Sequence, residues 1–146
     1  MKLLIKGGLV VDPANKIEEK LDILVNNGKI EKVAKSIPEK GAKVIDAKGK
    51  IVTPGFIDMH SHSDWVIPQP DHGGVLAPLL EQGVTTIVAG NCGCSPAPFV
   101  EANRTLLPQI GRMLHDRDLD YGWSGMGSYL AALEGRGLAL NVAQLV

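Results

Sequence analysis

The sequence predicts an α/β protein built on a parallel sheet, preceded by a small β module. Three observations carry that reading. Residues 1–53 hold short apolar runs of strand length separated by turn signals. After Thr53-Pro54-Gly55 the pattern becomes strand, helix, strand, helices, strand, the order of βαβ units. Residues suited to chemistry cluster directly after two of those strands, at 58–64 and 90–96.

In the first part, Leu3-Leu4-Ile5 and Leu9-Val10-Val11 flank Gly7-Gly8, and Asp12-Pro13-Ala14-Asn15 signals a turn. Segments 22–25 and 30–33 read as a hairpin, because Asn27-Gly28 tolerates the positive φ of a tight turn. Lys43-Val44-Ile45 and Lys50-Ile51-Val52 read as a second hairpin through Asp46-Ala47-Lys48-Gly49. The expectation is a small antiparallel platform without a functional cluster.

In the second part, 56–60 reads as a buried strand. Segment 74–82 reads as a helix with Val75, Leu76, Leu79 and Leu80 on its apolar face and Gly83 as its stop. The β-branched run 84–89 is a strand. An irregular section with Pro96 and Pro98 leads to helices over about 100–115 and 127–135, and 138–146 closes as a third buried strand. That strand carries no charge or proline to protect a sheet edge.

Composition narrows the function classes. Hydrophobic types make up 45% of 146 residues and charged types 21%, with a formal net charge of -1. Such a chain is not disordered, and its charge gives no reason to expect nucleic acid or an anionic membrane as partner. No run approaches the roughly 18 apolar residues that span a bilayer. Lys2, Lys6, Gly7 and Gly8 interrupt the start too early for a signal-peptide core. Cys92 and Cys94 are a poor disulfide framework, so reduced thiols and a cytoplasmic setting are expected.

The strongest local signal is Asp58-Met59-His60-Ser61-His62-Ser63-Asp64. Side chains alternate along a strand, so His60 and His62 share a face, with Asp58 one step deeper. Two imidazoles at the C-terminal end of a parallel strand can reach one metal ion, and that end is where sites form in parallel α/β folds. A lone histidine there would more often be an ordinary strand terminus; the pair after Pro-Gly-Phe-Ile-Asp points to metal. The second signal is Gly90-Asn91-Cys92-Gly93-Cys94-Ser95-Pro96, directly after strand 84–89. Taken alone Cys92 would be a buried hydrophobe; beside the histidine pair it becomes a candidate thiolate ligand for zinc. Cys94, Trp65 and Trp123 read as packing. Asp64 fits either a hydrogen bond behind the ligands or a plain turn, and Ser95 either the pocket or the turn at Pro96. His72 and His115, the latter beside Asp116-Arg117-Asp118, read as surface residues.

The run Val52-Thr53-Pro54-Gly55-Phe56-Ile57-Asp58-Met59-His60-Ser61-His62-Ser63-Asp64 resembles the first-strand signature of the metal-dependent amidohydrolases. The run from Gln82 to Pro98, with Gly90-Asn91-Cys92-Gly93 at its centre, is similar to the N-acyl-D-amino-acid deacylases, as are Trp123-Ser124, Tyr129-Leu130, Leu133-Glu134 and 138–146. Cys94 departs from that pattern, where an apolar residue such as phenylalanine is common. The resemblance implies residues 1–53 as part of a small β-sandwich and 54–146 as the first three βα units of a (β/α)8 barrel. It implies His60, His62 and Cys92 as ligands of zinc, one or two ions in a complete site. The implied reaction is hydrolysis of a small-molecule N-acyl-D-amino acid.

A complete barrel takes roughly 250 residues. The chain therefore reads as an N-terminal fragment, inactive alone, with its general-base aspartate and two further histidines expected beyond residue 146. Its bare third strand is expected to pair with the remainder of the barrel or to self-associate. Rival readings are a cyclic-amide hydrolase of the dihydroorotase or hydantoinase type, against which Cys92 argues, and a non-catalytic module that keeps the metal motif.

Overall fold

Apolar residues at alternate positions of Lys2–Asp12 build β1, and they bury Leu4 and Val10. The computed structural model describes residues 1–117 and 119–146; of the surface run singled out at 116–118, Asp118 lies outside the described residues. The chain divides into two units, Met1–Pro54 and Gly55–Val146.

In the first unit, β1 pairs antiparallel with β2 (Ile17–Asn26), and β2 with β3 (Lys29–Ala34). The turn between β2 and β3 is the expected one, with Asn27 at φ 49 and Gly28 at φ 78. A bulge falls between Ile5 and Gly8 of β1. There the buried Asp22 carboxylate accepts the Gly7 N–H on Oδ1 and the Ile37 N–H on Oδ2, both at 2.9 Å.

The expected second hairpin does not form. β4 (Lys43–Asp46) and β5 (Ile51–Val52) both run parallel to β1, one after the other along the same edge, rather than pairing with each other. The turn between them advances the chain without reversing it. Ala47 N donates to Lys6 O at 2.8 Å, Lys50 N to Ala47 O at 2.9 Å, and Leu9 N to Lys50 O at 2.9 Å. The turn packs directly on Gly8, where an added Cβ would sit 2.6 Å from Val52 Cγ2 and 3.0 Å from Ala47 Cβ. The platform is thus a mixed sheet of five strands, not an antiparallel one.

In the second unit, β6 (Phe56–Asp58), β7 (Val84–Ala89) and β8 (Asn141–Gln144) form a parallel sheet in chain order. Asp58 lies opposite Ile87 and Ala89 opposite Gln144, so the C-terminal ends of the strands are side by side. Among the described residues β6 pairs with β7 alone, and Phe56, Ile57 and Met59 stay more than half exposed, against the expectation of a buried strand. β8 is shorter than expected, none of its residues is buried despite the expectation of a buried strand, and among the described residues it is also an edge.

The helix expected over 74–82 is two short ones, α1 (His72–Val75) and α2 (Ala77–Glu81), separated at Leu76. Pro78 occupies the first turn of α2, where its missing N–H is no loss. Gly83, at φ 84, ends the run as expected. The 100–115 stretch is a 3-10 segment, Glu101–Leu106, followed by α3 (Leu107–Gly111), and α4 spans Met126–Arg136. The core gathers Trp65, Ile67, Leu76, Ile87, Leu107, Tyr121, Trp123, Tyr129, Leu133 and Leu140. The four aromatic rings follow one another edge to face at centroid separations of 6.2, 5.6 and 5.1 Å. Each ring of this size buries roughly 150–250 Å², worth about 4–6 kcal/mol as an upper bound. Trp65 and Trp123 are therefore packing residues, as their sequence context suggests.

Candidate metal centre

β6 ends at Asp58, whose Oδ1 accepts the His60 N–H at 3.0 Å and turns the chain. Asp58 is not among the clustered donors. Ser61 keeps the strand direction for one more step. Its N–H donates to Val88 O at 2.9 Å, and its side chain is buried against Ser63, with the hydroxyl oxygens 2.9 Å apart. Anchoring Ser61 inward leaves the flanking His60 and His62 on a common side. Their ring centroids are 5.6 Å apart.

From the neighbouring strand, β7 ends at Ala89 and the chain turns through Gly90, at φ 82. Cys92 is left-handed, with φ 60 and ψ 16. That conformation costs a non-glycine residue about 1–2 kcal/mol, the kind of local strain that collects at functional sites. Asn91 fastens the turn, its Nδ2 donating to Val88 O at 2.8 Å and to Ser61 O at 3.3 Å. The result is convergence: Cys92 Sγ lies 3.4 Å from His60 Nε2, and one donor atom each from His60, His62 and Cys92 falls within 4.8 Å of the others. All three sequence-predicted ligands come together, and no carboxylate among the described residues joins them.

The backs of both loops are tied to the aromatic core by polar tips. Trp65 Nε1 donates to Cys94 O, Trp123 Nε1 to Pro96 O at 2.8 Å, and the Tyr129 hydroxyl to Asp64 O at 2.8 Å. Cys94 is half-buried, its Sγ 3.6 Å from Cys92 O, which suits its packing role. Ser95 serves the turn, its Oγ bonding within Ser95–Ala97. Asp64 is fully buried, and burial pushes its carboxyl pKa up, against the lowering effect of the Gln144 amide and the His62 ring. It is therefore not a surface turn carboxylate.

His72 is a correction. It is buried at the start of α1, with its Nδ1 2.9 Å from Gln69 O, because the 67–69 turn beneath it is itself buried. His115 is also partly buried, its Nδ1 accepting from Arg117 N at 3.2 Å and its Nε2 packed close to Gly111. Neither joins the donor cluster. Sequence reasoning missed Gln144 and Asn91. The available signal was position: each is a polar residue at the C-terminal end of a parallel strand.

The chain is similar in sequence and in fold to known proteins. A profile for the amidohydrolase family matches residues 43–107. The D-aminoacylase of Alcaligenes xylosoxydans xylosoxydans is 34% identical over 145 residues, which is 99% of this chain and 28% of that protein. The dihydroorotase of Aquifex aeolicus is 46% identical over 90 residues, 62% of this chain and 20% of that protein. Among solved structures, the N-acyl-D-glutamate deacylase of Bordetella bronchiseptica was captured with zinc and a phosphonate mimic of the tetrahedral intermediate. It superposes with a TM-score of 0.72 at 32% identity, over 99% of this chain and 29% of that one. The chain thus spans less than a third of the length of these relatives.

Proposed function

We propose, for a chain that belongs to the amidohydrolase family and carries strands of its (β/α)8 barrel, that His60, His62 and Cys92 hold zinc. We further propose that the whole protein hydrolyses N-acyl-D-amino acids. The observation that carries the reading is the convergence of two imidazoles and one thiol at the ends of adjacent parallel strands. Two nitrogen donors and a sulfur donor suit zinc, whereas calcium and magnesium prefer oxygen. When bound, zinc supplies Lewis acidity that polarises an amide carbonyl and acidifies water.

The chain's own residues prepare that chemistry. A Cys92 thiolate would add a negative charge to a donor set whose other two members are imidazoles. Ser61 and Asn91 hold the two ligand loops in register through main-chain carbonyls of β7 and of Ser61. A carboxylate outside the three donors would take the attacking water's proton and return it to the leaving amine.

A linear amide is preferred over a cyclic one because the deacylase likeness runs the length of the chain, while the dihydroorotase likeness covers 90 residues. Metal analysis of the unmodified chain and of Cys92→Ala, with turnover of N-acetyl-D-amino acids and dihydroorotate by the longer protein, tests the reading. Zinc lost in Cys92→Ala and hydrolysis of the D-acyl substrates support it. Zinc retained in that variant, or turnover of dihydroorotate alone, overturns it.

A further inference from the structure

Gln144, the last residue of β8, reaches across the end of the sheet. Its Nε2 donates to Asp64 Oδ2 at 3.1 Å and to Ser95 Oγ at 3.0 Å. The acceptors lie on different loops: Asp64 is two residues past His62, and Ser95 is three residues past Cys92. One NH2 group therefore reaches both ligand-bearing loops, its two shortest contacts going to them and a longer one, 3.4 Å, to the adjacent Leu145 O. The seat is shaped for it. Leu145 N donates to Ala89 O at 2.9 Å, and a Cβ on Gly90 would sit 2.7 Å from Gln144 Nε2. Asp64 is fully buried and two residues from His62.

Building on the metal-site reading above, we propose that Gln144 is a positioning residue whose amide sets the spacing between the His62 loop and the Cys92 loop. In doing so it tunes the cation affinity and coordination geometry of His60, His62 and Cys92. The side-chain length is what matters: asparagine, one methylene shorter, spans at most one of the two acceptors, and leucine bonds to neither.

The test uses cobalt(II) as the probe, because thiolate-to-cobalt charge transfer and the d–d bands report ligation and geometry directly. Gln144→Asn and Gln144→Leu are compared with the unmodified chain, with circular dichroism to verify folding. Cobalt affinity is expected to fall roughly 10–100-fold, the usual effect of removing support behind a ligand, with an altered d–d spectrum. Gln144→Asn keeps a polar amide beside Asp64 and carries the test if Gln144→Leu does not fold. A folded variant with unaltered affinity and spectrum overturns the inference, and so does a lowered melting temperature with both readouts unmoved. If the unmodified chain shows no thiolate band, the metal-site reading itself fails, and this inference with it.

Discussion

The Tyr129 hydroxyl donates to the Asp64 carbonyl oxygen at 2.8 Å, joining α4 to the loop that carries His62 across 65 residues of sequence. Burial, reinforced by the Asp64 charge, drives the phenol pKa far upward, so the group is a permanent donor. Tyr129→Phe keeps the ring contacts and leaves that carbonyl without its partner. The expected cost is about 1–3 kcal/mol, read as a lower urea midpoint. An unshifted midpoint contradicts the assignment.

Gly90 is required twice over, by φ 82 and by space. A Cβ there would lie 2.6 Å from Leu145 O. Gly90→Ala is expected to destabilise the second unit by about 1–3 kcal/mol. Thermal unfolding followed by tryptophan fluorescence checks this, since both tryptophans lie in that unit. Wild-type stability would show that the β8 end does not seat against this turn.

A ligand that binds only the folded state stabilises it by mass action. At a free zinc concentration 100 times the dissociation constant, the gain is about 2.7 kcal/mol. Zinc is therefore expected to raise the melting temperature of the chain, a chelator to reverse the rise, and His60→Ala to abolish it. An equal rise in His60→Ala would locate the bound zinc elsewhere.

In the first unit, Asp22→Ala removes the acceptor for two backbone N–H groups, those of Gly7 and Ile37. The expected loss is about 2–4 kcal/mol, with faster amide exchange at those two residues. Exchange that stays slow at both positions would argue against the carboxylate as their anchor.

Among the described residues, β8 has a hydrogen-bonded neighbour on one side only. An uncovered strand edge is a template for pairing, so the purified chain is expected to self-associate. Light scattering decides the matter, and a stable monomer goes against it.

Much of the second unit was legible because its signals are chemical. His60, His62 and Cys92 stand at strand ends in the residue order, and the parallel sheet brings those ends together. The failures share a cause, since each depends on which neighbour a segment packs against. Asp46-Ala47-Lys48-Gly49 has hairpin composition, but only the bulge in β1 and the bare Gly8 make room for a turn that continues forward. His72 looks solvent-facing in a polar loop, yet the buried 67–69 turn draws it inward. Gln144 is one more polar residue at a strand terminus until two loops, 49 and 80 residues away, supply its acceptors.

The indole and phenol tips that reach from the core to Cys94, Pro96 and Asp64 have a thermodynamic consequence. Fixing the backbone of a free loop consumes roughly 1–2 kcal/mol per residue in conformational entropy. Here that loss is incurred when the aromatic core forms, before any cation arrives. A cation taken up there would meet donor atoms already in place, so little of its binding energy would go into freezing flexible loops.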